Sequence, residues 1–278
     1  YKELIKGEQT EKEGGLVYLY TTDKLAQHSF IEAAQNKGYD VLLMDGQLDT
    51  HFLNMLETKL EKSRFVRVDS DVVDKLIPKV DHAELNLNDR QKQNLTTVFS
   101  SQVPNIDKTN FVVACDALSE TDVPVMITQS EWMRRMKEMS AMQGGMMSFY
   151  GEMPDSYTLV VNANHELVKR VLHEMESATN EKVNSLYGKM DSLEKRKNEL
   201  LKAKEGKKDE EIPQADKDEL TDVEKKIGDI NSKRENELKV FASNEKLVSQ
   251  LIDLALLSNN MLKGEALTKF VKRSIELI

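Results

Sequence analysis

Two stretches with a heptad repeat of apolar residues lie between residues 181 and 239, and they limit the possible folds more than any other feature. Apolar positions that recur at alternating steps of three and four lie along one side of a helix. The first seam contains Val183, Leu186, Met190, Leu193, Lys197 and Leu200, and the second contains Leu220, Val223, Ile227, Ile230 and Arg234. A breaker at 204–216 separates the seams, so the sequence predicts an antiparallel helical hairpin whose register Lys197 and Arg234 help to fix.

The first 72 residues alternate between short apolar runs and amphipathic stretches. The apolar runs are residues 16–21, 41–44 and 65–68. Helices are predicted between them, the first starting at Thr22 or Asp23. Strand, helix, strand, helix and strand at this spacing predict a small parallel βαβ layer. We therefore place a first, αβα domain at residues 1–72.

Residues 73–278 are predicted to form a second domain of mixed helices and strands. Strands are predicted at 111–114, 123–128 and 157–161, the first two joined across a polar turn, and helices are predicted to start at Asn88, at Gln129 or Ser130, and at 164–165. Two apolar helices close the chain, and the hairpin is an insertion at about 176–240. The predicted fold class is therefore α+β: an αβα domain followed by an α+β domain with an inserted hairpin.

The two terminal helices are predicted to mediate dimerisation. The candidate interface residues are Leu247, Leu251, Leu254 and Leu257 on one helix, and Leu267, Val271 and Ile275 on the other. Residues 251–257 are apolar on more than one face, so this helix needs more partners than one neighbour supplies. Two such helices could form half of an intermolecular four-helix bundle. The alternative is that both helices only cap their own chain.

Methionine is concentrated in one segment: eight of the thirteen methionines lie between residues 126 and 153. Met-rich helix faces suit surfaces that accept many apolar shapes, because the side chain is flexible and polarisable. The candidate binding residues are Trp132, Met133, Met136, Met139, Met142, Met146 and Met147. The helix 130–143 contains neither Leu nor Ile, and the break at Gly144 and Gly145 suggests a mobile segment. An ordinary core stripe is the alternative.

The sequence contains almost no pattern that is typical of a catalytic or metal-binding site. The five histidines, His28, His51, His82, His165 and His173, form no pair with ligand spacing, and Cys115 is interpreted as a core residue. No nucleophile or phosphate-binding motif occurs, so no catalytic residue, metal site or cofactor is predicted. The net charge of −9 disfavours nucleic acid. One cysteine, no apolar run of membrane-spanning length and no secretory signal indicate a reducing, cytoplasmic location.

Residues 16–22, 38–45 and 48–54 are followed by a strand leading into a helix at 123–136 and then by the Asn162, His165 and Leu167–Arg170 pattern. In this order and spacing, the segments resemble the heat-shock protein 90 family, in its bacterial form. The first three look like the αβα part of that family's middle domain, and the others resemble its C-terminal domain. The terminal helices resemble its dimerisation helices. This resemblance covers the chain apart from about 176–240, and the start at Tyr1 suggests a piece of a longer protein.

The resemblance implies a molecular chaperone fragment that forms a homodimer and binds partly folded client proteins, with Trp132, Met133, Met136 and Met139 carried over as client contacts. ATP and magnesium would bind a nucleotide domain outside this chain, so the fragment itself would be no enzyme.

Three features depart from the family pattern. The hairpin is an insertion, His51 stands where relatives often have an aromatic residue, and the acidic tail of cytosolic eukaryotic relatives is missing at Ile278.

The sequence leaves two alternatives to the chaperone interpretation. The hairpin at 181–239 could be a coiled-coil tether or adaptor that docks a partner, since heptad helices with charged flanks are common docking surfaces. An enzyme built on residues 1–72 is disfavoured, because no acid, base, nucleophile or metal set assembles there.

Overall fold

The computed structural model describes residues 1–46, 48–79, 87–143, 153–206 and 212–277. The chain forms two compact units. The first unit contains Tyr1–Leu87, Val103–Val168 and Gln250–Ile278, and the second contains Asn88–Gln102 and Lys169–Ser249. The domain boundary predicted between residues 72 and 73 stays a prediction, since the units divide the chain at other positions.

The first sheet is parallel, as the alternation of apolar runs predicts. It consists of β1 (Leu16–Thr21), β2 (Val41–Leu43) and β3 (Ser63–Arg67), with β1 in the middle. The helices around it are α1 (Lys2–Ile5), α2 (His28–Asn36) and α3 (Asp49–Lys59). All of β1 is buried because both faces of the strand are covered: Val17 and Leu19 pack with Ala34, whereas Tyr18 and Tyr20 pack with Leu53.

The predicted start of the first helix at Thr22 or Asp23 is wrong, because α2 begins at His28. A turn precedes the helix. The Asp23 carboxylate accepts hydrogen bonds from the backbone N–H groups of Leu25 (2.9 Å) and Ala26 (3.0 Å). Gln27 Oε1 accepts one from the Thr22 N–H at 2.9 Å. These side chains satisfy backbone donors locally and so favour a turn over a helix.

The second sheet consists of β4 (Thr109–Asp116), β5 (Val125–Thr128) and β6 (Asp155–Asn162). β6 lies between the other two strands, parallel to β4 and antiparallel to β5. The strands predicted near 111 and 123 are therefore present, but they are not neighbours. The buried Asn162 side chain fastens the strand ends together: its Oδ1 accepts from the Leu118 N–H, and its Nδ2 donates to the Ser119 carbonyl at 2.7 Å.

Four further helices complete the first unit as far as the structure describes it. They are α4 (Val73–Leu76), α6 (Glu131–Gln143), α9 (Lys246–Ser258) and α10 (Gly264–Leu277), of which α9 begins within the second unit. Asn260 and Gly264, at the joint between the two terminal helices, both have positive φ. Glycine has no Cβ atom that would clash at positive φ, and asparagine tolerates this backbone region better than most residues. The Gly144–Gly145 break lies outside the described residues.

The second unit confirms the antiparallel hairpin. Its helices are α5 (Asp89–Gln102), α7 (Glu166–Lys204) and α8 (Gln214–Asn244); α7 begins within the first unit. Ion pairs join α7 to α8 in antiparallel order, Lys182 with Glu237 near the base and Arg196 with Glu219 nearer the tip. All the predicted seam residues are buried or partly buried. The buried face of α5 packs against α8.

The two polar seam positions differ in their surroundings. Arg234 is buried, donates a 2.7 Å hydrogen bond to the Tyr187 hydroxyl and lies against the Tyr187 ring. The same hydroxyl donates to Asn94 of α5 at 2.8 Å. Lys197 is paired with Glu224 across the hairpin at 3.1 Å. Specific partners of this kind fix the register of a helical pair, because a shift by one turn would leave a buried cation without them.

Helices and strands in this arrangement confirm the α+β class. No helix of the described ranges is both long enough and apolar enough to cross a membrane.

Candidate functional site

The first turn of α6 is held by hydrogen bonds around the carboxylate of Glu131. Its Oε1 accepts from the Tyr20 hydroxyl (2.8 Å), from Arg134 Nη2 (2.7 Å) and from Arg135 Nε (2.6 Å). Arg134 also donates to the Tyr20 oxygen, and its guanidinium lies against the Tyr20 ring. We call these residues, with Glu57, the α6 anchor. Because Tyr20 belongs to β1, the anchor joins the Met-rich helix to the first sheet.

Arg135 extends the α6 anchor to α3 and β3. Its Nη1 lies 2.6 Å from Glu57 Oε2, and its Nη2 donates to the Phe65 carbonyl at 2.8 Å. The side chains of Arg135, Glu57 and Glu131 are all mostly buried. Charged hydrogen bonds in such surroundings are stronger than exposed pairs, because water screens them less. The position of α6 is therefore set by contacts distant in the sequence.

The α6 anchor shifts the pKa values of its members. Burial by itself would raise the pKa of Glu131, but the charges of Arg134 and Arg135 and the hydrogen bond from Tyr20 outweigh it, so this pKa is lowered. Burial, reinforced by the Glu131 charge, raises the pKa of Tyr20. Burial would lower the pKa of Arg135, but hydrogen bonds to Glu57 and the nearby carboxylates raise it. The folded chain thus favours an ionised Glu131 beside a neutral Tyr20.

Acidification should remove the stabilisation that Glu131 provides. A carboxyl whose pKa is lowered by folding stabilises the fold above its unfolded value, here 4.5, and this contribution is lost as the pH falls through the folded pKa. We expect Glu131→Gln to be less stable than wild type near neutral pH, with a difference that shrinks below that value. Urea unfolding across this pH range measures it. A pH-independent difference, or an equal trend in the exposed control Glu3→Gln, would contradict the expectation.

The predicted binding residues on α6 lie in different surroundings. Trp132 is 60% exposed, whereas Met133 and Met136 are partly buried. The side chains of Met139 and Met142 lie outside the described part, and Met146 and Met147 lie outside the described residues altogether. The structure thus presents an indole with two adjacent methionines on a helix whose first turn is fixed.

A cleft of 650 Å³ opens beside Trp132. The indole shares its wall with Phe65 of β3, Ala114 of β4 and Thr158 of β6. The charged lining includes Arg64, Lys75 and Arg135 together with Glu57, Asp71 and Asp116. Apolar surface next to charges of both signs suits a chain segment of mixed composition better than one defined small molecule.

The terminal helices leave several predicted interface residues open to solvent. Within the chain Leu254 is 43% exposed, Leu257 36%, Val271 48% and Ile275 70%, and Leu247 and Leu267 are partly buried. Leu251 is only 3% exposed, because it packs within its own chain. Exposed apolar side chains that cluster on paired helices are typical of an interaction surface.

Side-chain contacts hold α9 and α10 against each other. Arg273 forms an ion pair with Asp253 and donates to Gln250 Oε1 at 2.8 Å, and Gln250 Nε2 donates to Ser274 Oγ at 2.6 Å. The two helices therefore present their apolar side chains as a preformed pair, which lowers the entropy cost of association.

The sequence interpretation missed the α6 anchor. Glu131 followed by arginines three and four positions later is an ordinary pattern for an exposed helix, and nothing local shows that the pairs are mostly buried. The signal that could have helped is Tyr20, a hydroxyl within a buried strand that needs a partner. In the described ranges, no group of three or more His, Cys, Asp or Glu side chains could hold a metal ion.

Comparison with known proteins identifies the family. The family model described as Hsp90 protein matches residues 8–190. The chaperone protein HtpG of Bacteroides thetaiotaomicron is 55% identical over the whole chain, that of Bacteroides fragilis 54%, and that of Porphyromonas gingivalis 45%. The chain spans about two fifths of these relatives, 41% of the Bacteroides proteins and 40% of the Porphyromonas protein. The family match over most of the chain and the similarity of the whole chain to part of HtpG show that this chain belongs to the Hsp90 family.

Proposed function

We propose that this chain is the client-binding and dimerising part of an ATP-dependent Hsp90 chaperone. It would comprise the end of the middle domain and the C-terminal domain. The relatives are named as chaperone proteins, and the chain spans about two fifths of them. Nucleotide and magnesium would bind in the remaining part of the protein, so this chain would hold no cofactor and catalyse no hydrolysis. A cytoplasmic location without nucleic acid or membrane partners fits the acidic charge of −9.

The observation that carries the client-binding proposal is the exposure of Trp132 on a helix fixed by buried hydrogen bonds. A 60% exposed indole leaves a large apolar area in contact with water. The α6 anchor keeps it in place, so a client pays no cost for ordering this part of the surface. The partly buried Met133 and Met136 add side chains that adapt to different apolar shapes. Weak, sequence-tolerant binding of partly folded chains follows from these properties.

Replacing Met133 and Met136 by aspartate should weaken client capture by tenfold or more, since a charge placed against an apolar client segment must be desolvated. The probe is reduced, carboxymethylated lactalbumin, a permanently unfolded chain, and binding is followed by fluorescence anisotropy. Leu201→Asp, at an exposed apolar residue of the hairpin, is the matched control and should bind as wild type does. Equal affinity of the double variant and the control would remove Met133 and Met136 from the client surface.

Homodimerisation through α9 and α10 is the second part of the proposal. Leu254, Leu257, Val271 and Ile275 would lie in the interface, with Leu247 and Leu267 at its partly buried edge. Leu251 is buried within its own chain, so it would support the helix pair from the side that faces away from the partner. Two protomers joined here would present two α6 surfaces to one client and so gain affinity by multivalency.

The hairpin offers a different function, that of a docking tether, because Leu201 and Val240 are exposed on its helices. Deleting all of 181–239 would also remove Tyr187 and Arg234, the partners of α5. A shorter deletion of 193–226, closed with a short glycine-serine linker, removes neither Tyr187 nor Arg234. We expect this variant to keep dimerisation and lactalbumin binding. If client capture fails while the dimer and the unfolding midpoint are unchanged, the hairpin is part of the functional surface and the tether proposal gains support.

A further inference from the structure

We propose that the first unit also contains a binding groove for a small organic cation with an apolar body. The groove has a volume of 440 Å³, within the range of about 300–1,000 Å³ that is usual for small-molecule sites. Its walls are α2, the connection after β3, the β4–β5 turn with the start of β5, and the end of α9. It is separate from the cleft beside Trp132 and shares no lining residue with the α6 anchor.

The interior of the groove is apolar, and part of it is open to water. Val68, Val72 and Leu118 form buried lining, and Met126 is partly buried. At the mouth, Val123 is 49% exposed. A ligand whose apolar body covers these side chains removes hydrocarbon surface from water on both partners, which drives binding.

The charged side chains in the described lining of the groove are both acidic. Glu32 of α2 and Asp122 of the β4–β5 turn are the charged side chains in its described lining, and neither takes part in an ion pair within the described ranges. Asp122 accepts a hydrogen bond from the Ser119 N–H at 3.2 Å. Among the described residues that line the groove there is no Lys, Arg or His. Two carboxylates beside an apolar interior favour a ligand that carries positive charge.

Two helix ends add to this negative potential. α2 ends at Asn36 and α9 ends at Ser258, and both terminal residues line the groove. The C-terminal end of a helix carries a partial negative charge, which favours a nearby cation. The cleft beside Trp132 has basic and acidic residues together and lacks this preference. Charge selectivity therefore distinguishes the groove from the proposed client surface, and the cation-binding proposal is independent of chaperone function.

Three probes that share the same apolar body but differ in charge test the proposal in the unmodified chain. They are phenylbutylammonium, phenylbutanol and phenylbutyrate. Binding is followed by NMR of ¹³C-methyl methionine, with the Met126 signal assigned through Met126→Leu. We expect a saturable shift of the Met126 signal that is strongest for the ammonium probe, weaker for the alcohol and weakest for the carboxylate. Met175, buried in the second unit, should keep its position.

The charge requirement is tested with Glu32→Gln combined with Asp122→Asn. This variant should bind the ammonium probe about tenfold more weakly, because both carboxylates that attract the cation are then neutral; tenfold corresponds to about 1.4 kcal/mol. Its affinity for the alcohol should be unchanged. Glu3→Gln, an exposed carboxylate on α1, is the control. An unshifted Met126 signal with the ammonium probe, or equal affinity for all three probes in wild type, overturns the proposal.

Discussion

Arg135→Ala should lower the free energy of unfolding by about 2–3 kcal/mol. Removing one partner of a buried ion pair costs about 3–5 kcal/mol, and the residual exposure of these side chains reduces that figure. The loss is large because Arg135 donates to the carboxylates of Glu57 and Glu131 and to the Phe65 carbonyl. It also donates a longer hydrogen bond, 3.5 Å, to Asn54 Oδ1. Without it, two mostly buried carboxylates lose a counter-charge at once. Urea unfolding followed by the fluorescence of Trp132, the chain's single tryptophan, measures the effect.

The matched control is Arg196→Ala, which removes an arginine with two carboxylate partners on the exposed surface of the hairpin. It should leave the unfolding midpoint near the wild-type value, because water screens exposed pairs. A double-mutant cycle of Arg135→Ala and Glu57→Ala should give a coupling of about 1–2 kcal/mol, as expected for residues in one network. If Arg135→Ala behaves like Arg196→Ala, the α6 anchor does not stabilise the fold, and the fixed position of Trp132 loses its explanation.

The α6 anchor also shows where sequence patterns stop being informative. Heptad spacing and strand alternation are local, and the hairpin and the parallel sheet were predicted correctly from them. Tyr20 and Glu131 are separated by 111 positions, and Glu57 and Arg135 by 78. No periodicity links residues so far apart. The same limit applies to the second sheet, in which β6 pairs with both β4 and β5 although the sequence suggested that those two adjoin.

For a related reason, the packing of the helices could be predicted only in part from the sequence. A helix was predicted to start at Asn88, and Leu95, Val98 and Phe99 of this helix are fully buried. The sequence did not indicate that α5 would pack against α8 of the hairpin. An apolar stripe predicts which face of a helix is buried, but not which other helix covers that face. Leu251 and Leu254 both follow the apolar spacing from which the interface was predicted. Leu251 is buried and Leu254 is exposed, and the spacing does not show this difference.

Val271→Asp combined with Ile275→Asp should convert the proposed dimer into a monomer. Both side chains are exposed within the chain, so the substitutions leave its own core intact. In an apolar interface each carboxylate must be desolvated, at a cost on the order of 2–3 kcal/mol or more, and a symmetric dimer contains each substitution twice. The dissociation constant should rise by several powers of ten. Light scattering on a sizing column should then change from twice the chain mass of 31.7 kDa to that mass itself.

Point substitutions test the interface better than removal of the terminal helices. The segment after residue 250 belongs to the first unit, and Ile252, Ala255 and Leu256 are buried there, so truncation would damage the fold as well as the interface. Val240→Asp is the matched control: its valine is 54% exposed on α8 of the hairpin, and the variant should remain a dimer. A wild-type monomer at high micromolar concentration, or a double variant that stays dimeric, would mean that α9 and α10 only cap their own chain.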